Sequence, residues 1–214
     1  MCSSDLAGGI LFLDSMKLAI LLSGRGSNFE AIHSAIATGA LRATIVCVIS
    51  NRPDARGIER ARELGLPVHV FDHKRYPTRA AHEEDVLRAL AEAEPDFVVL
   101  AGYMRLLSPA FVAAFPHRIL NIHPSLLPSF PGVDAQAQAV AYGVKVSGCT
   151  VHFVDENLDA GPIIVQRAVP VRDDDTADKL AARILEQEHA AYVEALVALG
   201  TRPWRVEGRR VIFA

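Results

Sequence analysis

Residues 18–28 read Leu-Ala-Ile-Leu-Leu-Ser-Gly-Arg-Gly-Ser-Asn. Leu18 to Leu22 is an unbroken apolar run, the pattern of a strand covered on both faces. It stops at Ser23 and Gly24. Beyond the turn, Phe29, Ile32 and Ile36 recur at helical spacing, and Gly39 stands where a helix would stop. Strand, glycine turn and helix in succession open a βαβ unit. Glycines let backbone approach a ligand, and the free amides of a helix start attract an anion. Gly26, Ser27 and Asn28 are therefore candidate phosphate ligands. The turn is no Walker loop, since Gly-Lys-Ser/Thr is absent, and it lacks the third glycine of the dinucleotide fingerprint.

The same alternation continues outward. Residues 43–49, 68–71 and 97–100 are apolar strand segments. Between them lie a helix with Ile58, Ala61 and Leu64 inward, stopped at Gly65, and a charged helix from about Thr78 to Ala93. The charged helix is expected to face solvent outside Val86, Leu87 and Leu90. Ser108 and Pro109 suit the cap and first turn of a helix over 110–115. Alternating strands and helices argue for an α/β fold: a Rossmann-like, mostly parallel twisted sheet with helices on both faces and right-handed crossovers. Ligands then gather at the carboxyl ends of the strands.

Further along, residues 135–142 read as a helix stopped by Gly143. Residues 147–154 alternate, which predicts an edge-like, antiparallel strand in which His152 is structural. Residues 163–169 form another strand. Asp175 or Thr176 caps a long helix to Leu199 with Leu185, Tyr192, Leu196 and Leu199 inward, and residues 204–212 suggest a hairpin.

At 214 residues the chain suits one domain with a full core, and its net charge of −3 with interspersed signs gives no nucleic-acid footprint. Cys2, Cys47 and Cys149 are scattered and odd in number, so neither a disulfide frame nor a metal cluster is indicated. The expected setting is cytoplasmic. Residues 9–13 are far too short to span a membrane, and the first fifteen residues lack the basic start of a secretory signal. They read as an N-terminal extension, with residues 16–214 as a single domain.

Chemistry concentrates in residues 118–132, RILNIHPSLLPSFPG. Ile119, Leu120 and Ile122 fill a buried strand that ends at Pro124. Asn121 and His123, two apart, leave an extended strand from the same face. An amide N–H and an imidazolium converging on one point can stabilise a developing oxyanion, and a carboxylate beside an imidazole favours its charged form. Asp159 is the candidate carboxylate. Leu126 and Leu127, on a loop stiffened by Pro128 and Pro131, suggest a pocket wall. The acids of residues 155–162 lack the calcium-loop spacing.

NIHPSLLPSFPG followed by VHFVDENLDAGPIIVQ resembles the folate-dependent formyltransferases, and the likeness runs roughly from Lys17 to Leu199. It is nearest to members that use 10-formyltetrahydrofolate as co-substrate to formylate the amine of glycinamide ribonucleotide in purine synthesis. The resemblance implies small-molecule substrates, no metal, and a monomer or homodimer. It implies catalytic roles for Asn121, His123 and Asp159, and ribonucleotide contacts from Gly26, Ser27, Asn28 and Glu188. Folate contacts are implied for Arg79, Met104, Arg105, Leu106 and Leu107, for Asn121, and for Asp155, Glu156, Asn157 and Leu158.

One departure stands out. Gln136 occupies a position where the family commonly carries His, and an amide there cannot titrate. Rival readings are a formyltetrahydrofolate hydrolase, which usually has an extra regulatory domain and lacks the Gly-Ser-Asn turn, and a nucleotide-binding oxidoreductase or binding module. A tRNA formyltransferase would need a second, basic domain.

Overall fold

The computed structural model describes residues 15–214, so the expected extension, residues 1–15, lies outside the described residues except for Ser15. Among the described residues nine strands are formed: β1 (Met16–Leu22), β2 (Ala43–Ser50), β3 (Val68–Val70), β4 (Phe97–Leu100), β5 (Ile119–His123), β6 (Val146–Phe153), β7 (Ile163–Pro170), β8 (Trp204–Glu207) and β9 (Arg210–Phe213). The α-helices are α1 (Ser27–Ala37), α2 (Arg56–Glu63), α3 (Arg79–Ala93), α4 (Pro109–Ala114), α5 (Ala135–Tyr142) and α6 (Ala177–Thr201). One sheet holds all the strands in the order β3-β2-β1-β4-β5-β6-β7-β9-β8. The first five are mutually parallel. β6 runs against β5 and β7 against β6, and the β8–β9 hairpin attaches to β7.

The sheet explains why β1 reads as unbroken apolar sequence. Leu18, Ile20 and Leu22 point into one core with Phe29 and Ile32 of α1, Ile58 of α2, and Leu180, Ile184 and Tyr192 of α6. Ala19 and Leu21 point into the other, with Val86 and Leu90 of α3 and Phe111 of α4. Both faces are thus covered, as a parallel sheet requires. Three of the helix starts follow side-chain caps. Thr78 Oγ1 accepts from Ala81 N at 3.1 Å, Ser108 Oγ from Phe111 N at 3.2 Å and Thr176 Oγ1 from Lys179 N at 3.3 Å. Of the two candidates for α6, Thr176 is the cap, while the Asp175 carboxylate instead takes the Arg183 guanidinium at 2.8 Å.

Four expectations are corrected. β6 is antiparallel but central, with a neighbour on each side and seven of its eight residues buried. Alternation there reflects an apolar core on one face and a polar site on the other, not solvent. The charged helix α3 buries His82 and Glu83 beside Val86 and Leu90. On α6 the inward stripe runs through Leu180, Ile184, Glu188 and Tyr192, and Leu185 is only half-buried. Leu127 is buried rather than lining an open wall.

Candidate active site

β5 pairs with β6 so that Leu120 faces Phe153 and Ile122 faces Val151, while Asn121 faces His152 and His123 faces Thr150. Direct cross-strand partners share a face. The apolar pairs enter the core under α6, which leaves Asn121, His123, Thr150 and His152 together on the opposite face. Tyr192 of α6 ties β5 to its other neighbour, β4, from below, its hydroxyl lying 2.9 Å from Leu100 O and 3.1 Å from Leu120 O.

Two loops close over that polar face. Residues 124–132 are held by a buried network: Thr150 Oγ1 donates to Ser125 O (2.7 Å) and accepts from Leu127 N (3.0 Å). Gln166 Nε2 donates to Leu127 O at 2.9 Å. The loop turns back over His123, which is 4% exposed. His123 Nε2 is 2.8 Å from Phe130 O, and because a carbonyl only accepts, Nε2 carries the proton there. Nδ1 lies 3.3 Å from Asp159 Oδ2, and that oxygen also accepts from Gly132 N at 2.8 Å. Asp159 reaches this position from a left-handed turn, φ 48°. At Gly161 a Cβ would lie 1.8 Å from Phe153 O, so only glycine lets the loop fold back on β6.

His152 is more than a core residue. Its Nδ1 donates to Phe153 O at 2.9 Å, which leaves Nε2 as an acceptor 3.3 Å from Asn121 Nδ2. One Asn121 N–H is thereby fixed and the other is left for a ligand. Burial pushes the His152 pKa below the usual imidazole range, although Asp159 lies 3.9 Å away. Of the thiols among the described residues, burial pushes Cys47 up to about 11 and Cys149 up to about 12, values that leave neither as a nucleophilic thiolate near neutrality.

At the glycine turn, Gly26 has φ 81°, and a Cβ there would lie 2.9 Å from Gly57 Cα, so turn and α2 meet backbone to backbone. Ser27 opens α1 without a side-chain cap, which leaves its first amides open to an anion. Asn28 differs from expectation. It is buried, and its Nδ2 donates to Glu188 Oε2 at 2.9 Å while Oδ1 has no protein partner. Glu188 is buried too, not solvated, and burial raises its pKa against the opposing effects of the Asn28 bond and the His123 charge.

The remaining candidates surround this cluster. Met104 and Leu106 are 76% and 63% exposed, Leu158 is 55% exposed, and Glu156 and Asn157 are exposed beside half-buried Asp155. Arg105 and Leu107 are half-buried, and Arg79 pairs with Glu83 at 2.9 Å. Gln136, in the first turn of α5, is half-buried. Sequence reading missed Thr150, Gln166, Glu83, and Ser23 with Asn51, whose Oδ1 accepts from the Ser23 hydroxyl; these side chains hold the loops. Thr150 and Gln166 could have been found only as polar residues inside apolar strands, Ser23 and Asn51 stand in turns at strand ends, and Glu83 has no signal among the other charges of its helix.

The sequence matches the family described as formyl transferase over residues 16–196. The chain belongs to that family. It is 45% identical over 177 residues to the phosphoribosylglycinamide formyltransferase of Escherichia coli, spanning 83% of this chain and 84% of that protein. It is 46% identical to the trifunctional purine biosynthetic protein adenosine-3 of Drosophila melanogaster over 86% of this chain, but spans only 14% of that much longer protein. The glycinamide ribonucleotide transformylase 1 of Symbiobacterium toebii superposes with a TM-score of 0.90 at 46% identity, covering 94% of each chain. The family relation therefore extends through the described fold. Among the described residues no helix is long and apolar enough to cross a membrane, and no group of three or more His, Cys, Asp or Glu side chains is arranged to hold a metal ion.

Proposed function

We propose that the protein transfers the formyl group of 10-formyltetrahydrofolate to the amine of glycinamide ribonucleotide, giving formylglycinamide ribonucleotide and tetrahydrofolate in purine synthesis. The observation that carries this reading is the buried cluster in which His123 Nδ1 lies 3.3 Å from Asp159 and Asn121 is oriented by His152. The amine attacks the formyl carbon and the carbonyl pair moves onto oxygen. Collapse of the adduct breaks the bond to the folate nitrogen, which takes up the proton the amine loses.

Asn121 offers its free N–H to the oxyanion, and His123 supplies positive charge from a ring held between Phe130 O and Asp159. A preorganised donor of this kind is worth about 10²–10³ in turnover. Asp159, through a bound water, relays the proton. Gly26, Ser27, Asn28 and Glu188 hold the ribonucleotide, so remote binding energy places the amine. Arg79, residues 104–107 and residues 155–158 hold the folate. The protein acts on these small molecules in the cytoplasm as a monomer or homodimer, with residues 16–214 as its catalytic unit.

The test is an assay of purified protein with 10-formyltetrahydrofolate, with and without the ribonucleotide. Formylated ribonucleotide should form only when both are present. Formate released equally fast without the amine would mean a hydrolase instead.

A further inference from the structure

Glu83 sits on a helix whose sequence predicts solvent exposure, yet it is 6% exposed. Removing an ionised carboxylate from water costs several kcal/mol unless charge and hydrogen bonds compensate. Both compensations fall on one oxygen. Glu83 Oε1 accepts from Arg79 Nε at 2.9 Å and from Ser108 N at 3.0 Å. Arg79 opens α3, and Ser108 caps α4 at the end of the loop that carries Met104 to Leu107.

The far end of that loop is pinned as well. Ser23 N donates to Gly102 O at 3.0 Å, and Ser23 Oγ accepts from Met104 N at 2.8 Å. Between the pins, Met104 and Leu106 project into solvent. On the Arg79 side only Nε is tied. Its side chain is 42% exposed, and among the described residues its two terminal nitrogens have no partner, which leaves an open fork suited to a ligand carboxylate.

We propose that Glu83 is a positioning residue for the folate-binding surface: a single buried carboxylate oxygen fixes both the Arg79 guanidinium and the end of the 104–107 loop. Cation and apolar loop thus meet the co-substrate at one set separation. This rests on the reading that Arg79 and residues 104–107 bind folate.

The test is a double-mutant cycle of Glu83→Ala and Arg79→Ala in the full chain, read as KM for each substrate, kcat, and thermal midpoint. Glu83→Ala should raise the folate KM about tenfold, leaving the ribonucleotide KM and saturating kcat within about twofold. Glu83→Gln, whose amide oxygen still accepts both N–H groups, should bring the folate KM back to within about threefold of the parent. With Arg79→Ala already present, Glu83→Ala should add less than threefold. Additive effects, or a rise in both KM values with a fall in kcat and no Gln rescue, would overturn the positioning role. If Arg79→Ala alone leaves the folate KM unchanged, the underlying assignment of Arg79 fails, and that result differs from failure of Glu83. Should Glu83→Ala not fold, Glu83→Gln and the direct titration of a folate analogue still decide, because an unchanged affinity for the Arg79→Ala variant against its parent removes the surface being positioned.

Discussion

Replacing Asp159 by Asn keeps the shape of the site and removes its charge. The amide oxygen can still accept from Gly132 N, now 2.8 Å from Oδ2, so the loop over His123 stays in place. What goes is the carboxylate 3.3 Å from His123 Nδ1, in a pair whose side chains are 5% and 9% exposed. At an effective dielectric near 20, opposite charges at that distance attract by about 5 kcal/mol before desolvation is subtracted. Catalysis gains only the part that grows as the oxyanion forms. Taking about half of the gross attraction gives about 2.5 kcal/mol, or about 70-fold in kcat. Both KM values should stay within about threefold, since neither the glycine turn nor the 104–107 loop is touched. Single-turnover formyl transfer, with thermal melting to confirm folding, measures this. A folded Asp159→Asn protein with kcat within threefold of the parent would show that the carboxylate does not support His123 in the reaction.

Asn121→Ala should lower kcat by about 10²–10³ with little change in either KM, because the lost N–H acts on the oxyanion; steady-state kinetics in both substrates checks it. Asn28→Ala should raise the ribonucleotide KM and leave the folate KM unchanged, and the reverse pattern would move the phosphate elsewhere. His152 has a folded pKa depressed by burial. The unfolded chain therefore binds a proton the folded ring refuses, so its stability contribution is present above about pH 6.5 and is lost as pH falls toward the folded value. In urea titrations, the parent should lose more stability between pH 7 and pH 5 than His152→Gln does, and parallel pH profiles would contradict the assignment. Glu188 has the opposite sign, since burial raises its pKa. Its contribution is present in acid and declines as pH rises through the folded value, a slope that Glu188→Gln should abolish in the same titrations.

The parallel half was legible because its signals are local: apolar runs for strands buried on both faces, Gly39 and Gly65 as stops, Thr78 and Ser108 as caps. Asn121, His123 and Asp159 were also legible, the first two from strand period and the third from resemblance. What could not be read locally was the environment of polar residues. Alternation in β6 suits an edge as well as a central strand whose second face meets a polar site, and only sheet order decides between them. Glu83 and His82 lie on a helix that looks solvated and Glu188 on one read only for its apolar stripe, and they are buried because of what packs against them: Arg79 and Ser108 for Glu83, Asn28 for Glu188, and the Phe71 carbonyl, 3.0 Å from Nε2, for His82. A helical period finds an apolar stripe, but it does not find a carboxylate set within one.

The reversal of β6 is what makes the cluster possible. In an antiparallel pair directly opposed residues share a face, so Asn121 meets His152 and His123 meets Thr150. The reversal also carries the chain back to the start of β5, where Val154 N donates to Ile119 O at 2.8 Å. From there the acid can reach His123 only if residues 155–162 return over the polar face. The left-handed turn at Asp159 and the contact of Gly161 with Phe153 O serve that return. A loop in this place, with the 124–132 loop beside it, shields the His123–Asp159 pair from water while Asn121 stays half-buried. In such a setting a fixed N–H and a fixed charge act on a developing oxyanion with little reorganisation. The parallel strands could supply a phosphate turn without β6, but the amide orientation and the carboxylate both depend on its direction.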